Sequence, residues 1–314
     1  MQFAVNYSET ARELYLQGQI QVDYFKCPAW PELVRRARVA GRVYVHFPLR
    51  VGRGIGNAMD TEMGRPADWR KVEALLTQTG TQQVNLHLAP LVGEHDGIPL
   101  EGSDASHVDV VTEAMIRDVQ AVVKRFGTEK VVLENADDGR SGILRVALLP
   151  GVINRVVKET GCGFLLDISH ARLAAWRLGM DAREYLAELP SERIQEIHLA
   201  GIQRFLGCWV TRAQAAGIDA RVIQQMNGRL VDHLPLADGD WDFCEWAMQE
   251  VRRGAWREPW VVALEYGGVG GLWEMTADRD HLAEQVPRLC GIVKDGRLAQ
   301  STEVGIDQQT EAIG

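Results

Sequence analysis

What most constrains this chain is an alternation. Short runs rich in Val, Ile, Leu and Phe recur along it, several ending in a histidine or a carboxylate, and each is followed by a longer segment of helical period. Eight such runs lie near Phe3–Val5, Val22–Phe25, Val43–His46, Val84–His87, Lys130–Glu134, Gly163–Asp167, Ile194–Leu199 and Trp260–Glu265. Between them the spacing predicts helices such as Trp30–Ala40, Trp69–Thr79, Val108–Phe126, Leu144–Thr160, Ala182–Leu189 and Trp241–Arg253. Strand–helix alternation calls for a parallel sheet with crossover helices. Eight units favour closure, so the expected fold is α/β, a (β/α)8 TIM barrel.

A chain of 314 residues fits one such barrel with insertions. The expected organisation is a single domain over residues 1–296, followed by a polar, aromatic-free tail over 297–314 that is expected to be disordered. No internal repeat is visible. The first strand–helix turn, Asn6–Thr10, carries no GxGxxG, which removes the simplest dinucleotide-binding reading. The glycine-rich Val51–Gly56 lacks the Lys-Ser/Thr of a P-loop and is expected to be only a flexible loop over the barrel mouth. Leu91–Ser106 reads as a second loop shaping the pocket.

The net charge of −9 gives no general attraction to phosphate backbones, so nucleic acid is not an expected partner. Arg50, Arg53, Arg140 and Arg204 could still form a local basic rim. The five cysteines are odd in number, far apart and without a CxxC pair, and are expected to be buried free thiols. MQFAVNYSETARELY has no basic stretch leading into an apolar run, and no apolar stretch approaches the roughly 18 residues of a membrane span. The expected compartment is the cytoplasm.

Polar residues gather where the apolar runs end: His46 in YVHF, His87 in VNLHL, Glu134 after VVL, Asp167 after FLL, His170 three residues on, His198 in EIHLAG, and Glu265 after VVAL. His233 lies in the loop-like VDHLPL. Alone, His46 or His233 would ordinarily be a hydrogen-bonded histidine, and Asp167 or Ser169 a helix cap. Together, at the C-terminal ends of barrel strands, they converge on one pocket. Converging carboxylates and imidazoles without partners cost several kcal/mol each, on the order-of-magnitude scale for buried charge. A divalent cation resolves this. The mixed nitrogen and oxygen set suits Fe, Mn or Zn rather than Ca.

The order His…His…Glu-Asn…Asp-x-x-His…His…His…Glu resembles the xylose-isomerase-like barrels, a superfamily that includes endonuclease IV, the sugar isomerases and epimerases, and the multinuclear non-haem iron oxidative enzymes of the methanobactin-biosynthesis type. The stretch GFLLDISHARLAAWRLGMDAREYLAELPSERIQEIHLAG (Gly163–Gly201) is similar to the iron family. VVLENADDG fits that family and endonuclease IV, while HLPLADGDWDF resembles the isomerases and endonuclease IV. The resemblance implies metal ligation by His46, His87, Glu134, Asp167, His170, His198, His233 and Glu265, with Glu134, Glu265 and His170 as catalytic candidates.

The implied cofactor is two or three Fe ions, with Mn or Zn as alternatives. The implied reaction is O2-dependent oxidation of a peptide cysteine or small thiol, with a partner protein delivering the peptide as one implied arrangement. A sugar isomerase or epimerase and a zinc phosphodiesterase are the alternatives, and a barrel that has lost its metals is the non-enzymatic one. Two departures stand out. Val231 occupies a position where the multinuclear families carry an aspartate, with Asp232 expected on the opposite side of an extended segment, and Ile202 follows HLAG where a polar residue is frequent. Gln203–Gly228 is an insertion, read as a surface helix pair or a cover for the pocket. Trp209, Trp241, Trp246 and Trp273 are expected to pack rather than stack on substrate.

Overall fold

The structure, a computed structural model, describes residues 1–137 and 142–295. Arg140 and the expected tail over 297–314 lie outside the described residues.

The strands are β1 (Gln2–Asn6), β2 (Tyr24–Pro28), β3 (Val43–His46), β4 (Leu49–Val51), β5 (Val84–Leu88), β6 (Val131–Glu134), β7 (Gly163–Asp167), β8 (Ile194–Leu199), β9 (Gly201–Arg204), β10 (Leu230–Leu234) and β11 (Val261–Leu264). Their order in the main sheet is β3-β2-β1-β11-β8-β7-β6-β5-β4, with every neighbouring pair parallel. Because β3 and β4 follow each other in the chain, separated only by Phe47 and Pro48, the sheet closes on itself. The result is the eight-stranded barrel that the alternation predicts.

Closure has to pass through a proline, which has no N–H to give to a ladder. Asn85 of β5 repairs the break. Its Oδ1 accepts from Phe47 N at 2.7 Å, and its Nδ2 donates to Phe47 O at 3.0 Å. A side-chain amide thus serves as one rung between strands. From β4 a short antiparallel ribbon, Met59–Asp60 and Arg65–Pro66, extends the sheet edge.

Strands such as Val131–Glu134 are buried along their whole length, as parallel strands covered on both faces should be. Helix Trp69–Thr79 begins where the Asp68 carboxylate accepts from Arg70 N and Lys71 N. The expected helix Leu144–Thr160 is in fact two pieces: a 3-10 turn over Arg145–Leu148, then a helix over Pro150–Thr160. Pro150 forces the division, since it is tolerated at a first helical position but not inside a helix. Strand β2 sits later than the expected Val22–Phe25 and carries Lys26 in its interior.

The main core lies between the barrel strands and the inward faces of the helices. A smaller apolar group, Ala4, Tyr44, Val261 and Ala263, packs with Tyr24 and Trp260. The insertion forms a third, satellite core of Phe205, Trp209, Ala213, Ile223, Val231 and Leu234. It consists of the antiparallel β9–β10 pair and helices Cys208–Ala215 and Ala220–Met226.

Val51–Gly56 is not the free loop expected from its glycines. The buried Asp118 carboxylate collects its backbone amides: Gly52 N at 3.0 Å and Gly54 N at 2.8 Å on one oxygen, Gly56 N at 2.7 Å on the other. Gly52 has φ 124°, and a Cβ there would lie 2.7 Å from Pro90 Cβ. All five cysteines are free thiols; Cys27, Cys162 and Cys244 are buried as expected, but Cys208 is exposed. No helix among the described residues is long and apolar enough to cross a membrane.

Candidate metal centre

Every sequence-predicted site residue reaches the C-terminal end of the barrel. Cross-strand register pairs His87 with Glu134 and His198 with Asp167, so these side chains start as neighbours. Glu134 is the hub. Its Oε2 lies 3.1 Å from His87 Nε2 and 3.4 Å from His46 Nε2. Its Oε1 lies 3.6 Å from His170 Nδ1 and 3.8 Å from His198 Nδ1. His198 Nδ1 also faces Glu265 Oε1 at 3.0 Å and Asp167 Oδ2 at 3.9 Å. His233 Nε2 stands 3.5 Å from Glu265 Oε2. Glu134 and Glu265 therefore both face this cluster at the C-terminal end of the barrel.

Second contacts fix which ring nitrogen each histidine offers. His87 Nδ1 meets Leu49 O at 3.0 Å, His170 Nδ1 meets Asn135 O at 3.0 Å, and His198 Nε2 meets Glu196 Oε1 at 2.8 Å. These partners orient the rings as outer-shell groups do in metal sites. Glu196 is itself held by Tyr44 Oη at 2.8 Å, so a buried polar column rises through the barrel beneath His198. Asp167 does two jobs. Oδ1 accepts from His170 N at 2.7 Å as a helix cap, while Oδ2 faces His170 Nε2 at 3.7 Å. The capping role of Asp167 is thus present and leaves Oδ2 facing the cluster.

Burial and the opposed charges within the cluster set its electrostatics. Burial alone would raise Glu134, but His87, His46 and His198 hold it below the usual carboxylate range. Asp167 is raised to about 7 by burial and by the Glu265 and Glu134 charges, against the pull of His170 and His198. Burial would lower His170 and His198, yet the surrounding carboxylates lift both well above ordinary histidine values. His46 moves the other way, lowered by burial and by the nearby Lys26 ammonium.

Two buried atoms, Glu134 Oε2 and His198 Nδ1, have no hydrogen bond at all. An orphaned buried acceptor costs about 1–3 kcal/mol, more when charged. Three overlapping groups have donor atoms within 4.8 Å of one another: His46, Glu134 and His198; Glu134, Asp167 and His170; Asp167, His198 and Glu265. Nitrogen and oxygen donors with no thiolate fit a first-row divalent metal.

Three cavities surround the cluster. One of about 670 Å³ is bordered by Arg50, Arg53, Met59, His87, Ile143 and His170. A second, about 580 Å³, lies between His170, His233, Trp273, Arg229 and the insertion residues Gln225 and Met226. The insertion therefore forms the expected helix pair and also borders the pocket. The smallest, about 130 Å³, reaches Lys26, His46 and His233. Arg50 and Arg53 border the first cavity, but Glu94 lies with them and accepts from Arg50 Nη1 at 2.8 Å and Nη2 at 2.6 Å, so the expected basic rim is neutralised there, and Arg204 bonds Gly228 O. Trp209, Trp241 and Trp246 pack as expected. Trp273 differs: its ring lies 4.8 Å from His233 and borders two of the cavities.

Two site residues escape the sequence reading. Lys26 donates to Glu265 Oε1 inside the barrel, with both side chains buried. A lysine between Phe25 and Cys27 in the middle of an apolar strand was the available signal, since such a charge needs a partner. Asp232 places Oδ2 3.2 Å from His170 Nε2. Nothing in the local sequence shows this, because it depends on the backbone at His233.

Residues 66–224, about half of the chain, match the profile of a family described as RiPP precursor modification enzyme MbnB/TglH/ChrH. The chain belongs to the MbnB/TglH/ChrH family. The family match takes in His87, Glu134, Asp167, His170 and His198. The remaining site residues of this MbnB/TglH/ChrH member lie outside the matched segment.

Among curated relatives, a UPF0276 protein of Pseudomonas aeruginosa is 31% identical over 141 residues, 42% of this chain and 45% of that protein. A UPF0276 protein of Rhizobium meliloti is 34% identical over 111 residues, 34% of this chain and 33% of that protein. These alignments span less than half the length of the curated relatives. A xylose isomerase domain containing protein from Salmonella typhimurium superposes with a TM-score of 0.52 at 16% identity, covering 93% of this chain and 97% of that one. That likeness supports the xylose-isomerase-like barrel and nothing finer.

Proposed function

We propose that the chain is a multinuclear non-haem iron enzyme that uses O2 to oxidise a cysteine thiol of a peptide or a small thiol. The observation that carries this reading is the convergence of His46, His87, Asp167, His170, His198, His233 and Glu265 around the Glu134 hub, with buried Glu134 Oε2 and His198 Nδ1 lacking any hydrogen bond. The family description supports a peptide as substrate. Four ligands suffice for an epimerase, and His46 together with His87 exceeds that need.

Iron in this donor set would supply a redox-active Lewis acid with positions open to a thiolate and O2. The eight named residues would hold it. The carbonyls of Leu49 and Asn135 and the carboxylate of Glu196 orient His87, His170 and His198. The cavity at Arg50, Arg53 and Ile143 offers a substrate both charge and apolar surface beside His87. Trp273 and the insertion narrow the mouth from the other side and limit water. In this reading a partner protein delivers the peptide, and nucleic acid is not a substrate.

The test is metal analysis of protein purified without added metal, followed by anaerobic Fe(II) reconstitution and O2-uptake measurements with thiols and cysteine peptides. Iron content and thiol-dependent O2 uptake are expected. Absence of both overturns the proposal. Activity with Mg or Mn under anaerobic conditions would establish the isomerase reading in its place. Salt-sensitive binding of abasic DNA by zinc-loaded protein would establish the phosphodiesterase.

A further inference from the structure

We infer that Arg229 is a specificity residue that receives a carboxylate of the substrate, in the cavity of about 580 Å³ beside His170 and His233. The inference deepens the proposed function by naming a charge that the substrate carries, and it rests on the substrate class of that reading, a peptide or small thiol.

Arg229 differs from the other Lys and Arg side chains around the mouth. Three of these line the two neighbouring cavities, and each has a carboxylate at hand. Arg50 and Arg53 face Glu94, and Lys26 pairs with Glu265. Among the described residues, Arg229 is the one Lys or Arg lining its own cavity, and its guanidinium has neither an ion pair nor a hydrogen bond. The chain carries 34 Lys and Arg against 43 Asp and Glu. With carboxylates in excess, a guanidinium left open on a pocket wall stands out.

Its backbone is anchored. Arg229 N donates to Met226 O at 3.0 Å, and Arg229 O accepts from Phe205 N at 2.8 Å. The next residue, Leu230, pairs with Arg204 across β9 and β10, and Val231 is buried in the satellite core. The insertion's own apolar packing therefore fixes where the side chain starts, while the side chain itself is exposed. Only its rotamers remain for a ligand to order.

The rest of the lining decides which anion fits. Trp273 and Met226 offer apolar surface to a carbon skeleton. Asp137 and Asp232 line the same cavity, and like charge there disfavours phosphate or any other multiply charged anion. A single carboxylate meets the guanidinium fork through two parallel hydrogen bonds. A volume of about 580 Å³ suits a short peptide segment rather than a lone ion. Side-chain and chain-terminal carboxylates present the same chemistry to Arg229.

Calorimetric titration under argon with three pairs of acetylated peptides tests this. Ala-Cys-Glu-amide is compared with Ala-Cys-Gln-amide, Ala-Cys-Ala with its amide, and Ala-Ser-Glu-amide with Ala-Ser-Gln-amide. Wild type is expected to prefer the acidic member of the first or second pair by about 5-fold, the upper end for an ion pair open to water. Which pair shows the preference separates a side-chain from a terminal carboxylate. Arg229→Met should abolish the preference and bind the neutral peptides as wild type does, with unchanged circular dichroism. Arg229→Lys should keep part of it, and provides a second readout if the Met variant fails to fold. The inference is overturned by no preference in wild type, by a preference that survives in Arg229→Met, by inorganic phosphate binding more tightly than both acidic cysteine peptides, or by no measurable binding of any peptide. The serine pair carries no thiol. A preference lost in Arg229→Met, without O2 uptake on any peptide, leaves the role of Arg229 standing and sinks the oxidation; O2 uptake with equal binding within every pair does the reverse.

Discussion

Lys26 and Glu265 form an ion pair inside the barrel, joining the second strand to the last and placing an ammonium against a carboxylate of the proposed metal centre. Burial would raise Glu265, but His198, Lys26 and His233 hold it well below the carboxylate range. Removing one partner of a buried pair strands the other. Lys26→Met is therefore expected to destabilise the metal-stripped protein by about 3–5 kcal/mol. Saturating Zn(II) should restore part of that loss, because the cation supplies the missing positive charge. Urea unfolding with EDTA and with Zn(II) checks both halves; an equal loss in the two conditions would mean that lysine and metal do not share Glu265.

Glu134 is within reach of four histidines, so its loss should be felt across the site. Glu134→Gln keeps the volume and removes the charge. We expect metal content to fall by at least one equivalent while the fold persists. Elemental analysis paired with circular dichroism measures this. The stripped variant should also hold His46 less readily in the charged form, since Glu134 is the carboxylate that opposes its lowering.

Protons and metal compete for the same rings. His170 and His198 are lifted by the surrounding carboxylates despite burial, which favours their protonated forms in the stripped protein. Metal binding must displace those protons, about two per chain if each ring gives up one. Affinity should therefore rise with pH through neutrality, and calorimetry in buffers of different ionisation enthalpy should show the release. Folding of the stripped protein follows the same sign for these rings. Their contribution is full below the ordinary histidine value and is lost as pH climbs through the raised folded value. Glu134 and Glu265, being depressed, contribute above the ordinary carboxylate value and lose that contribution as pH falls. Melting curves of stripped protein across pH 4–9 should show a maximum between these limits.

Asp118 holds three glycine amides on its two oxygens. Asp118→Asn replaces one acceptor with a donor facing N–H groups. The expected loss is about 1–3 kcal/mol, that of leaving buried amides unmatched. Limited proteolysis should then cut within Gly52–Asn57, which resists in the wild type. Gly52→Ala should act at least as severely, because it adds a clash with Pro90 to a left-handed backbone.

Much of this architecture is legible in the sequence because physics writes it locally. Parallel strands covered on both faces must be apolar throughout, so a histidine or carboxylate ending VVL, FLL or VVAL stands out and marks the strand's functional end. Glu134, Asp167, His198 and Glu265 were visible for that reason. Residues that depend on backbone path were not. Asp232 looks misdirected until the φ of His233 is known. Asp118 sits in a helix 66 residues from Gly52, and nothing in VGRGIG says that its amides have a partner there. Strand β2 was placed early because Lys26 looks like the end of an apolar run rather than its buried middle.

The order of the barrel has a consequence for timing. The candidate donors are scattered from His46 on the third strand to Glu265 after the last, and the first strand lies against the last. No partial chain contains the whole cage. A growing polypeptide that ended before residue 265 would offer a cation only loose, solvent-accessible groups, so full metallation waits for the ring to close. Loading of the proposed centre would thereby report on completed folding.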